Sequence, residues 1–355
     1  MIVDAPALAY RIVNEGALDV PLPGRGETAI RLRTLADFCH RDISVGRLVE
    51  AHLDADAILA EIAGERVGPD ELWGVWAAEP PEPRVSAEYG SGRWLLSGAK
   101  PWCSGVAACT HALVTANHGS HRRLFAIDLR QPAVRAERGG WAAAGMRGTE
   151  TGSARFDRAL ARPIGEPGQY LSRPGFWHGG IGVAACWLGG ARKVAGALYQ
   201  RTQRPNGDHH ADDLTLMHLG AVDAMLAGGR SMLEQAAIAV DAAPKDAAAA
   251  RLTAHQVRWG VEQIATAVID RVNRALGPGP LVHDREHSRA VADLAVYIRQ
   301  SHADRDLVEL GRLAVERHSS DEQPPSSMVP GNPVPGNSDG TSTVVPRPIP
   351  AEILR

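Results

Sequence analysis

The sequence predicts an α+β fold, with a helical region at each end and a β domain between them. Three observations lead there. Short strand-like runs separated by turns crowd residues 72–164. Apolar residues recur at helical spacing on either side of that region. Capping residues and helix breakers fall where those periodic stretches begin and end.

Residues 1–71 form a short helical domain in this reading. Val45, Leu48, Val49, His52, Leu59 and Ile62 follow a helical repeat, with Asp42 or Ser44 placed to cap its start. In residues 72–164, the runs Arg93–Ser97, Thr110–Ala116, Leu124–Leu129 and Ser153–Asp157 are expected strands, too tightly spaced for helices. Residues 165–317 return to helix. Val257, Val261, Ile264, Val268, Val272 and Leu276 mark one apolar face, and a second helix spans Asp212–Val240. Pro244 and the segment Gly277–Pro280 interrupt the pattern where turns between antiparallel helices belong. Residues 318–355 include PPSSMVPGNPVPGNSDGTSTVVPRPIP, a composition too poor in apolar side chains to order itself, and are expected to be a disordered tail.

A chain of 355 residues with 44% hydrophobic and 22% charged residues can bury a large core. The formal charge of -3 gives no footprint for nucleic acid. Cys39, Cys103, Cys109 and Cys186 show no metal-ligand spacing, and so few thiols fit a reducing compartment. The N-terminus lacks the pattern of a signal peptide, and no uncharged apolar run has membrane-spanning length. The expectation is a soluble, cytoplasmic protein.

Three segments carry the functional reading: Trp73–Pro80 (WGVWAAEP), Lys100–Gly105 (KPWCSG) and Gly145–Asp157 (GMRGTETGSARFD). Together they resemble, respectively, the segment ending in T-E-P, the K-x-W-I-T-N strand and the G-x-R-x-S/T-x-T…F-D signature of the acyl-CoA dehydrogenase superfamily. The resemblance spans roughly Leu72 to Arg317. It implies an acyl-CoA dehydrogenase-like fold, FAD as cofactor and an acyl thioester or related small molecule as substrate. It also implies a homodimer or homotetramer and, as electron acceptor, a candidate electron-transfer flavoprotein. On this resemblance Trp102 packs the flavin face, Ser104 hydrogen-bonds N5, and Thr151 and Ser301 belong to the cofactor site. Arg201 or Arg204 would meet the pyrophosphate and the Gly277-Pro278-Gly279 turn the adenine half. Ala78 replaces a hydroxyl that the family usually places near the flavin pyrimidine.

The family's catalytic glutamate has no counterpart. Its position falls on Arg299 or Gln300, and the alternative position used by some members falls near Gly179. His302, followed by Asp304 and Asp306, is the candidate base, and His178 neighbours the alternative position. Arg299 is a candidate to bind an anionic substrate or to stabilise an enolate. Flavin-dependent monooxygenases on the same fold also dispense with the glutamate, because no α-proton has to be removed. The readings are therefore dehydrogenation of a thioester with a non-standard base, monooxygenase or oxidase chemistry, or a non-catalytic interaction module. Gly180–Ala185 matches GxGxxA without a preceding strand, which favours a closely packed helix over a dinucleotide site. The run Asp208–Asp213 is read as a turn, with no metal site expected.

Overall fold

A computed structural model describes residues 4–15, 18–79, 82, 84–203 and 212–321. Met1–Leu313 form one compact unit, and the described part of the second unit, Ala314–Arg355, is the end of a helix. Three helices open the chain: α1 (Ala5–Asn14), α2 (Thr28–Arg41) and α3 (Ile43–Ile62). Of the two caps expected for α3, Asp42 fills the role, its carboxylate accepting from the Val45 N–H at 3.0 Å. The start of α2 has no side-chain cap of its own. Instead Asp241, far along the chain, accepts from the Gly26 and Thr28 N–H groups, each at 3.0 Å.

Seven strands follow among the described residues: β1 (Trp73–Trp76), β2 (Val85–Gly90), β3 (Arg93–Cys103), β4 (His111–His118), β5 (His121–Asp128), β6 (Val134–Glu137) and β7 (Gly152–Ile164). The four expected strands are the cores of β3, β4, β5 and β7. β4 pairs with β5 along one side, and with β1 and the start of β2 along the other. Because β2, β3, β7 and β5 are also linked in that order, the pairing returns to β4 and closes on itself. Leu96, Val114, Phe125 and Phe156 fill the interior.

The second half is helical: α4 (Gln169–Ser172), α5 (Pro174–Gln203), α6 (Asp213–Ala242), α7 (Ala247–Leu276), α8 (Gly279–His283), α9 (Arg285–Tyr297) and α10 (Asp304–Asp321). Single 3-10 turns lie at Arg147–Thr149 and Ile298–Gln300. α10 passes through the start of the expected tail at 318, and the rest of that tail lies outside the described residues. The GxGxxA run lies within α5, a helix that approaches its neighbours closely at several glycines. A Cβ at Gly189 would fall on the Ala36 carbonyl, and one at Gly190 would stand 2.9 Å from Leu294.

α3 joins the two halves of the molecule. Leu48 and Val49 belong to the bundle core with Trp187 and Val261. About three turns further on, Ile58 and Leu59 pack with Leu113, Leu124 and Ile164 of the sheet. No described helix is long and apolar enough to cross a membrane.

The α5 contacts give a paired expectation. Gly189→Ala should destabilise the protein by about 1–3 kcal/mol through overpacking. Gly196→Ala, where nothing lies within 4 Å of the added Cβ, should stabilise it by roughly 0.5–1 kcal/mol through helix propensity. Chemical denaturation of both variants checks the difference.

Candidate functional site

Backbone strain is concentrated where the end of β3 meets the 3-10 turn Arg147–Thr149. Trp102 (φ 59), Met146 (φ 58) and Glu150 (φ 47) all occupy the left-handed region beside Gly105 (φ 67). Each non-glycine residue held there costs on the order of 1–3 kcal/mol, and such residues gather at functional sites. At Trp102 the strain accompanies a large indole that remains 60% exposed. The neighbouring Cys103 is buried, its thiol donating to the Lys100 carbonyl at 3.1 Å.

Three hydroxyls gather where the chain just past Trp102 meets the Arg147–Thr149 turn. Thr149 Oγ1 donates to the Met146 carbonyl at 2.7 Å and lies 2.8 Å from Thr151 Oγ1, while Thr151 Oγ1 is 3.4 Å from Ser104 Oγ. Each hydroxyl has one hydrogen. Ser104 Oγ is the acceptor in the long contact with Thr151, so its own O–H makes no hydrogen bond among the described residues. The Gly105 N–H donates to the Thr149 carbonyl at 2.8 Å and ties the two turns together.

Two buried charged groups hold this platform. Asp293 of α9 accepts from the Met146 N–H at 2.6 Å and from Arg289 Nε at 3.3 Å, with the Ser44 hydroxyl at 3.5 Å. Arg289 in turn donates to Asp42 at 2.6 Å, the residue that caps α3. Burial pushes the Asp293 carboxyl above its ordinary value, against the Met146 N–H and Arg289. Under β3, the buried Lys100 ammonium donates to Glu79 at 2.7 Å and to Thr115 Oγ1 at 2.8 Å. Burial draws Lys100 down in pKa; Glu79 also feels burial, but hydrogen bonds from Lys100 and Thr115 hold its carboxyl below the usual value. The Trp76 indole N–H reaches the Ser104 carbonyl at 3.2 Å.

The structure therefore brings Ser104 and Thr151 together, with Trp102 two residues before Ser104 in the chain. The other sequence-derived candidates lie elsewhere. Arg299 is half exposed and pairs with the buried Glu262 at 3.0 Å. Ser301 Oγ accepts from the Ala303 N–H at 3.1 Å, and His302, 74% exposed, lies 3.5 Å from Asp306. No hydrogen bond, ion pair or ring contact among the described residues links Arg299, Ser301 or His302 to the platform. Arg201 is exposed near the end of α5, and Arg204 lies outside the described residues, as do residues 208–211. Asp212 caps α6, accepting from the Thr215 N–H at 2.8 Å. Gly277 has φ 65, and the Cβ positions of Gly277 and Gly279 face open space. His178 is buried, and that burial lowers its pKa.

Near Gly179 a carboxylate does appear, but from another helix. Asp54 Oδ1 of α3 lies 2.7 Å from the position of a Cβ on Gly179. The sequence reading missed Asp54, Asp293 and the Lys100–Glu79 pair. Lys100 and Glu79 lie in two of the quoted segments, but their pairing spans 21 residues, and Asp293 meets Met146 across 147.

No protein-family model matches the sequence, and a search of the curated proteins finds no match. Solved structures do match. FMN-bound TdsC from Paenibacillus sp. A11-2 superposes with TM-score 0.72 at 18% identity, covering 82% of this chain and 84% of that one. Methanesulfinate monooxygenase MsuC from Pseudomonas fluorescens has TM-score 0.69 and 18% identity, covering 89% and 98%. Glutaryl-CoA dehydrogenase from Mycobacterium smegmatis has TM-score 0.73 and 16% identity, covering 88% and 87%. The chain has the acyl-CoA dehydrogenase-like fold.

Asp293→Ala should destabilise the folded protein by about 1–3 kcal/mol, because the Met146 N–H loses its acceptor in a buried site. The denaturation midpoint measures this, and a change within error of wild type would show that the turn does not depend on Asp293.

Proposed function

We propose that this chain is a flavin-dependent oxidoreductase acting on a small molecule, with Trp102 packing the flavin ring and Ser104 donating to it. The observation that carries the reading is the Thr149–Thr151–Ser104 hydroxyl chain, which leaves the Ser104 O–H free two residues from an exposed, strained indole. A planar, heteroaromatic ligand with an acceptor at its edge fits both features. A bound flavin supplies two-electron redox chemistry. The FMN in TdsC, on the same fold, supports the assignment.

Each residue then has a definable task. Trp102 shields one face of the ring from water, and Ser104 holds a hydrogen bond to its acceptor edge. Thr151 and Thr149 fix the direction of that bond, and Asp293 and Lys100 keep both turns in place. We further propose FAD as the nucleotide form, in a homodimer or homotetramer. The Gly277–Gly279 turn, Arg201 and Arg204 of a second copy would then receive its pyrophosphate and adenosine half, with Ser301 in the same cofactor site.

For the reaction, oxygen chemistry suits this chain better than thioester dehydrogenation. The candidate base His302 is exposed and engaged with Asp306, and Arg299 is engaged with Glu262, so neither offers a shielded proton acceptor. The monooxygenase MsuC on the same fold supports that choice. The TM-score of 0.73 with glutaryl-CoA dehydrogenase keeps dehydrogenation of an acyl thioester, with electrons passing to an electron-transfer flavoprotein, as the second reading.

Ser104→Ala should shift the visible flavin spectrum or weaken retention about tenfold, in line with the loss of one hydrogen bond. Trp102→Ala should weaken retention further. Absorbance after reconstitution and desalting reads both; wild-type spectra and retention in the two variants would refute the platform assignment.

A further inference from the structure

A cleft of about 1010 Å³ is bounded by α1, the junction of α2 with α3, the turn carrying Arg147 and Gly148, and α9. Its size suits a small-molecule ligand. Trp102, Ser104 and Thr151 do not line it, and neither do Arg201 or the Gly277–Gly279 turn.

Part of the lining is apolar. Leu8, Ile12 and Phe38 face the cleft half-buried, although each also packs against the bundle core. Ala5, Ile43 and Val45 add to the same lining. Apolar side chains gathered on a concave surface gain from an occupant that displaces the water there.

The charged part is unevenly committed. Five carboxylates line the cleft, and every one has a partner. Asp4 accepts from the Ala7 N–H at 3.1 Å, Asp42 from the Val45 N–H and Arg289, and Asp293 from the Met146 N–H and Arg289. Glu286 pairs with Lys193 at 2.6 Å, and Glu150 with Arg138 at 3.7 Å. Lys193 and Arg289 are taken up in these pairs. The guanidinium groups of Arg41, Arg147 and Arg285, also in the lining, make no hydrogen bond or ion pair among the described residues. They come from three separate elements: the end of α2, the Arg147–Thr149 turn and the first residue of α9. The first N–H groups of α9 already bond Asp284 at 3.0 Å, so the helix end is not the anchor.

One exposed arginine is ordinarily solvated and needs no ligand. Three around one apolar cleft, with its carboxylates all engaged, leave a surplus of donors and no free carboxylate to receive them. A guanidinium has N–H donors and no acceptor, and it meets a carboxylate, sulfonate or phosphate ester with paired hydrogen bonds.

We infer that this cleft binds a small amphipathic anion, with its apolar body on Leu8, Ile12 and Phe38 and its acidic head at Arg41, Arg147 or Arg285. A cationic ligand of the same shape would bring a like charge to the guanidinium groups, and a small anion without a chain would leave the apolar lining wet. The inference does not depend on the flavin reading, because no platform side chain lines the cleft.

The test is calorimetric titration of the full-length protein with decanoate and decanesulfonate. Decyltrimethylammonium controls for the chain and acetate for the head. At least one amphipathic anion is expected to bind near one per chain, about tenfold or more tighter than either control. Combined Arg41→Glu, Arg147→Glu and Arg285→Glu, all at exposed positions, should weaken that binding about tenfold or more. Ala144→Trp, which fills the cleft from an exposed position of its wall, should do the same. Circular dichroism of each variant checks that it is folded. Failure of both anions, equal affinity for decyltrimethylammonium, or unchanged affinity in either folded variant would each overturn the inference. Trp102→Ala should bind the anion as wild type does; loss there would place the anion at the platform and overturn it as well. A protein that binds decanoate but retains no flavin would count against the flavin reading and leave this one standing.

Discussion

The buried carboxylate of Asp293 is the constraint on which the candidate site depends. It receives the N–H of Met146, the residue whose left-handed backbone starts the Arg147–Thr149 turn. Through Arg289 it is also tied to Asp42, so one ionic cluster connects the α3 cap, the β-domain turn and α9. Thr149, at the end of that turn, receives the Gly105 N–H and directs the hydroxyl chain toward Ser104. Moving Asp293 would therefore move the platform. Burying this carboxylate is costly, and the cost is offset only while its donors stay in place.

α3 has a second role as the shared wall of both halves. Its N-terminal turns pack in the bundle core and its C-terminal turns on the sheet, while its polar face supplies Arg47, Glu50 and Asp54. Desolvation pushes Glu50 up to about 7 despite Arg47 beside it. Such a face is costly in the interior of a helix pair unless its polar groups find partners. The glycines of α5 let that face approach closely, at positions where any side chain would collide with α3 residues: Glu61 at Gly175 and Asp54 at Gly179.

Much of this was legible in the sequence, and the exceptions have physical reasons. β3, β4, β5 and β7 are long and apolar enough to stand out between turns. β1 and β6 have four residues each, too few to show a period, and β2 buries only Val85 and Ala87. α6 and α7 announced themselves through a 3.6-residue period and the Pro244 break between them. Trp102, Ser104 and Thr151 were readable because they sit in short contiguous segments. Asp293 with Met146, Lys100 with Glu79, and Asp54 with Gly179 could not be read that way. Each pairing is created by tertiary packing; even where a member sits in a quoted segment, as Lys100, Glu79 and Met146 do, nothing local names its partner. The candidate base was sought next to the missing glutamate along the chain, and the structure places that residue, His302, in an exposed turn.

The most direct measurement is a titration of the unmodified, full-length protein with FMN and, separately, with FAD, following both flavin and tryptophan fluorescence. The account predicts saturable binding of at least one flavin near one per chain, with quenching of tryptophan emission as Trp102 meets the ring. A folded protein that leaves both flavins free in solution would contradict it.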